Sequence, residues 1–231
     1  MELAIENLAI GYGSTILFEG LDAALKAGEN LAVLGCNGTG KSSFLRVLAG
    51  LNSPKQGRIE VRGCAKNHAS HIGFLPQVFE INKEIPISVL DFVELGTLAV
   101  DSPKDAIEAK TALALVGIAP LAKKLIGELS AGQFVKACLA RNLIANPDII
   151  VLDEPFASLD ATSCTEILQL LENLKTLGKI IIVSIHDERL SLGFDHFVTL
   201  SGTQAKWEAK APTHKHECAL HDCHAEIENA A

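Results

Sequence analysis

Gly35-Cys36-Asn37-Gly38-Thr39-Gly40-Lys41-Ser42-Ser43 follows the spacing G-x-x-x-x-G-K-[ST], and its flanks give that spacing meaning. Residues 30–34, just before it, read as a short buried strand. Residues 43–51, just after it, have helical spacing, with Phe44, Leu45, Val47 and Leu48 apolar. A glycine-rich segment at a strand-to-helix turn presents backbone N–H groups at a helix N-terminus, where a multiply charged anion is favoured. Gly35, Gly38 and Gly40 let the backbone approach such an anion with no Cβ in the way.

The remaining residues narrow the anion to a nucleotide polyphosphate. Lys41 supplies a mobile positive charge for the β- and γ-phosphates, and the Ser42 hydroxyl is a ligand for Mg²⁺. Residues 149–154 supply the complement. Ile149-Ile150-Val151-Leu152 is a continuous apolar strand, as in a parallel sheet covered on both faces, and it delivers Asp153 and Glu154 at its C-terminal end. Open α/β sheets bind ligands at that end of their strands. Asp153 suits Mg²⁺, held through water, and Glu154 suits polarising an attacking water.

The 231 residues suit one α/β domain with an insertion. No apolar run reaches the roughly 18 residues that span a bilayer. The N-terminal residues lack the basic-then-apolar order of a secretory signal. A formal charge of −8 argues against a general nucleic-acid binder. Six cysteines in such a chain point to thiol or metal chemistry in a reducing compartment rather than to disulfides.

Taken in order, residues 3–10 alternate apolar and polar and break at Gly11-Tyr12-Gly13, which predicts an edge strand and a turn. Residues 16–25 continue the pattern. Short strands are expected at 58–62, 72–75, 179–185 and 197–200, and helices at 131–145 and 162–176. Between 87 and about 126 the period becomes helical, with Asp101-Ser102-Pro103 separating two apolar faces, as in an insertion of about 50 residues. Beyond Gly202 the composition turns polar. Cys138 and Cys164 read as fillers of helix faces, and Cys36 as a small side chain inside the phosphate loop with an oxidisable thiol.

Together with Leu129-Ser130-Ala131-Gly132-Gln133, Gln77, Ser158-Leu159-Asp160 and His186, these motifs stand in the order found in the ATP-binding subunits of ATP-binding-cassette transporters. The chain resembles that family over about residues 1–205. The resemblance implies an α/β, RecA-like P-loop NTPase core with an N-terminal antiparallel β subdomain and an inserted α-helical subdomain at about 86–140, followed by a tail at 206–231. It implies ATP and Mg²⁺ as ligands, with Tyr12 stacking on adenine and Gln77 reaching Mg²⁺ or the attacking water. It also implies Ser130, Ala131, Gly132 and Gln133 presented to the nucleotide of a second copy, Asp160 between the two copies, and His186 on the γ-phosphate. An integral-membrane permease and a substrate-binding protein are the implied partners, with the chain peripheral on the cytoplasmic face of the inner membrane. Two departures stand out. Ala131 replaces a glycine, and Phe134-Val135-Lys136 stands where the family has a polar pair and arginine.

For cargo, residues 74–77 and 85–96 are similar to zinc and manganese importer ATPases. The same segments resemble iron-chelate ones less closely. His214, His216, Cys218, His221, Cys223 and His224 place four His and two Cys within eleven residues, which predicts a Zn²⁺-binding tail. Cys64, His68 and His71 form a weaker group that reads as a solvated loop. A haem or iron-chelate transporter and a soluble cassette ATPase of iron–sulfur assembly remain alternatives.

Overall fold

The computed structural model describes residues 1–63, 72–77, 85–99, 106–191 and 193–209. Strands β1 (Glu2–Tyr12), β2 (Thr15–Lys26), β3 (Asn30–Leu34), β4 (Gln56–Arg62), β5 (Ile72–Leu75), β6 (Ile149–Leu152), β7 (Ile180–Ser184), β8 (His196–Ser201) and β9 (Gln204–Ala209) join in one sheet of order β4-β1-β2-β9-β8-β3-β7-β6-β5. From β8 to β5 all neighbours run parallel. At the other end β4, β1 and β2 form an antiparallel ladder. β9 joins the two, antiparallel to β8 and touching β2 at Glu19↔Gln204.

The parallel strands are buried on both faces, so consecutive residues serve different cores. Leu31, Val33, Ile149, Val151, Ile180 and Ile182 point to the face covered by α1 (Lys41–Leu48), with Phe18 packed edge-on against Phe44. Ala32, Ile150, Leu152, Ile181 and Val183 point to the opposite face, under α4 (Ala131–Leu143) and α5 (Ala161–Thr176). Each fully buried aliphatic side chain contributes about 1.5–3 kcal/mol. This two-sided burial is why these strands read as unbroken apolar runs.

Two expectations change. β1 is an internal strand, paired with β2 on one side and β4 on the other, and not an edge. Alternation reveals a half-buried strand but not its neighbours, and β4 arrives some fifty residues later in the chain. The edge strand at this end of the sheet is β4, whose Arg58 and Arg62 pair with Glu6 and Glu60, a charged surface that discourages edge-to-edge association. The tail boundary at 205 falls within β9, whose Trp207 stacks on His196 at 4.9 Å, so the sheet continues to Ala209.

The helical segment holds α2 (Val89–Glu94), α3 (Ala109–Leu115) and the start of α4, joined by short 3₁₀ turns. Ser88 caps α2 by accepting from the Asp91 N–H at 3.1 Å. Val89, Phe92, Val93, Ala112 and Leu113 pack against Leu139 and Leu143 of α4. The unusual Phe134 stacks on Phe92 at 6.2 Å, and Lys136 pairs with Glu166 of α5 at 2.6 Å. The residues that depart from the family pattern thus tie α4 to both neighbours. Cys138 and Cys164 are buried helix fillers, and burial pushes the Cys138 thiol up to about 12.

Candidate nucleotide site

Register places the site. Leu75 of β5 pairs with Leu152 of β6, Leu152 with Val183 of β7, and Ser184 of β7 with Val33 of β3. The strands are parallel, so the chain leaves all four at the same edge. The phosphate loop, Gln77, Asp153, Glu154 and His186 therefore emerge side by side from segments spread over 150 residues of sequence. The ladder runs one step beyond β6, where the Asp153 N–H donates to the Leu75 carbonyl at 2.9 Å. That bond draws the Gln77 turn toward Glu154.

The Gln77 amide donates to Glu154 Oε2 at 2.7 Å, and Lys41 Nζ lies 3.7 Å from Glu154 Oε1. Lys41 is only 5% exposed, and its ammonium donates to the carbonyls of Gly35 at 2.8 Å and Cys36 at 3.1 Å. Glu154 takes a left-handed backbone, φ 49, uncommon for a residue with a Cβ. Its N–H donates to Ser184 Oγ at 2.7 Å, and the Ser184 hydroxyl donates to Asp153 Oδ1 at 2.7 Å. Ser184 is fully buried, so one hydroxyl fixes both carboxylate residues. Sequence reasoning passed over Ser184 as part of an apolar strand; the signal was a lone hydroxyl among Ile180, Ile181, Ile182, Val183 and Ile185.

A cleft of ≈ 340 Å³ is lined by Tyr12, Leu17, Asn37, Gly38, Gly40, Lys41, Ser42, Ser43, Gln77 and Glu154. Its floor fits a polyphosphate. A Cβ on Gly35 would lie 2.7 Å from both the Leu200 carbonyl and Thr39 Oγ1, and Gly40, at φ 100, opens α1. Thr39 also donates to the Cys36 carbonyl at 2.8 Å, which closes the loop on itself. Tyr12 ends β1 half-exposed at the mouth, its hydroxyl donating to Ser43 Oγ at 2.9 Å. Leu17, which sequence reasoning did not select, packs against Gly40 from β2. The donor set of the Ser42 hydroxyl, the Gln77 amide and the buried Asp153 carboxylate is all oxygen-bearing and suits Mg²⁺.

Other candidates lie elsewhere. His186 is exposed one residue past Ile185 and does not line the cleft. Ser130 accepts from the Gln133 N–H at 3.3 Å while Gln133 Oε1 accepts from the Ser130 N–H at 3.2 Å, a reciprocal cap on α4. Asp160 caps α5, and the Ser163 N–H beside it holds its carboxyl below the usual carboxylate range. Ser130, Ala131, Gly132, Gln133 and Asp160 are not among the residues lining the cleft. Cys64, His68, His71 and the six His and Cys of the tail fall outside the described residues. Among the described residues no group of three His, Cys, Asp or Glu is gathered to hold a metal.

The family model described as "ABC transporter" matches residues 18–157. The chain is 34% identical to the manganese transport system ATP-binding protein MntB of Bacillus subtilis, over 84% of this chain and 79% of that protein. It is 35% identical to the nickel import ATP-binding protein NikO of Rhodobacter capsulatus, over 85% and 84%. Among solved structures it is similar to cbiO1 from Clostridium perfringens, part of the ABC transporter complex cbiONQ. That match has a TM-score of 0.78 and 28% identity, covering 98% of this chain and 92% of that one.

Proposed function

The chain belongs to the ABC transporter family, as an ATP-binding, ATP-hydrolysing subunit, and from that premise we propose that it powers import of a divalent transition-metal ion through a separate membrane partner. The observation that carries the catalytic half is the convergence of Lys41 and Gln77 on Glu154 beside the phosphate loop. The cargo reading is supported by the similarity to proteins named for manganese and for nickel. No helix among the described residues is long and apolar enough to cross a membrane, so the path for the ion belongs to the partner. A location on the inner face of that membrane follows from this reading.

In this reading the loop N–H groups and Lys41 hold the phosphates of ATP, and Tyr12 stacks on the adenine. Ser42, Gln77 and Asp153 would hold Mg²⁺, which would supply positive charge against the phosphates. Glu154, steered by Gln77 and by the Ser184 anchor, polarises the attacking water. His186 swings onto the γ-phosphate. A second copy brings Ser130, Ala131, Gly132 and Gln133, with the positive end of α4, against the same phosphate, and Asp160 lies between the copies.

Purification from native membranes tests the reading. A polytopic membrane protein should co-purify, and cells lacking the chain should lose uptake of a divalent metal that the intact chain restores. Co-purification with a soluble scaffold and no membrane protein would instead favour an ATPase of iron–sulfur assembly. The tail residues His214, His216, Cys218, His221, Cys223 and His224 are proposed to bind Zn²⁺, on composition alone. Calorimetric titration should lose a Zn²⁺ site on removal of residues 212–231.

A further inference from the structure

We infer that Ser163 is a positioning residue that locks the Ser130–Gln133 segment to the Asp160 loop, so that the two move as one body; this rests on the two-copy reading above.

The contact leaves no slack. A Cβ placed on Gly132 would lie 2.6 Å from Ser163 Oγ and 2.8 Å from Ser163 Cβ, distances that side-chain carbons essentially never show. Gly132 is therefore glycine because Ser163 occupies its side-chain space. The other side of Ser163 is tied to Asp160, with its N–H donating to Oδ1 at 2.8 Å and its hydroxyl to Oδ2 at 3.0 Å. Two capped helix starts, α4 at Ser130 and α5 at Asp160, thus meet at one serine. One turn further along, the Lys136–Glu166 pair at 2.6 Å joins the same two helices. Close-packed contacts transmit displacement rather than absorb it. A push on Asp160 is passed through Ser163 to the backbone of Gly132, and the reverse holds. Nucleotide met by one segment is thereby felt by the other.

The test is steady-state ATP hydrolysis by the full-length chain, with nucleotide affinity and melting temperature measured beside it. Ser163→Ala keeps Cβ under Gly132 but removes the hydroxyl link to Asp160. It should lower kcat about threefold or more while KM for ATP stays within about twofold. Gly132→Ala should lower both turnover and melting temperature. Gly132→Ala with Ser163→Gly relieves the clash and should recover melting temperature, yet kcat should stay at or below the Ser163→Ala value because the link is gone. Wild-type kcat in Ser163→Ala, or turnover returning to wild type together with stability in the double variant, would overturn the inference. Lys41→Ala separates the premises. If it retains turnover, the nucleotide-site reading falls; if it is inactive while Ser163→Ala is normal, only the link falls.

Discussion

In β6 and β7 every residue is buried, and the chemical groups sit one or two positions past the strand ends. In the helical segment Leu95 and Leu98 stand in the open, and Ser130 and Gln133 cap each other. The sheet edge is a finished half-site. Its two carboxylate residues and the Gln77 amide are tied together by hydrogen bonds of 2.7 Å, the Lys41 ammonium lies 3.7 Å from Glu154, and strand register brings them side by side. On the two-copy reading proposed above, the helical segment offers a capped surface that waits for the nucleotide of a second copy. In that reading a single protomer grips the phosphates and a second copy encloses them.

The largest effect should come from the finished half. Glu154→Gln should lower turnover by about 10²–10⁴-fold with nucleotide binding retained, whereas Lys41→Ala should lose affinity itself. Equilibrium binding and single-turnover hydrolysis on both variants separate these outcomes, and equal losses of binding would break the contrast between grip and chemistry. Next comes Ser184→Ala, which strips Asp153 Oδ1 and the Glu154 N–H of a shared partner. It should cost about 1–3 kcal/mol in urea unfolding and about tenfold in kcat. The smallest effect belongs to the waiting half. Ser130→Ala removes the α4 cap at a cost of about 1 kcal/mol, visible as faster amide exchange in the first turn of α4. It should slow turnover while leaving ATP affinity of the isolated chain unchanged. Weakened affinity there would mean that the two halves are not separate within one protomer.

The same contrast explains what the sequence disclosed. The parallel strands were legible because burial on both faces leaves an unbroken apolar run, and the loops after them were legible because phosphate chemistry demands glycine, lysine and paired carboxylates. β9 was hidden: in Gln204-Ala205-Lys206-Trp207-Glu208-Ala209 only Ala205 and Trp207 pack inward, and two charges interrupt the run. α4 stops at Leu143 and not at Ala145, because end turns are set by tertiary contacts that periodicity does not record. Ser163 was illegible, and Ser184 was marked only as a lone hydroxyl in an apolar run, for a different reason. Neither stretch shows what its serine does, because the importance comes from a neighbour 31 residues away in one case and from a missing methyl group on another helix in the other.

The single paired position between β2 and β9 bears on how the molecule is made. A ribosome delivers the β1, β2 and β4 ladder early and the strand that stitches it to β8 last. Until β9 has emerged, no strand pairing among the described residues joins the ladder to the parallel strands. Shortening the chain to residue 203 should therefore leave the ladder held to the parallel strands by the packing of its side chains against Leu31, Val33, Ile149 and Val151, with no strand pairing to join them.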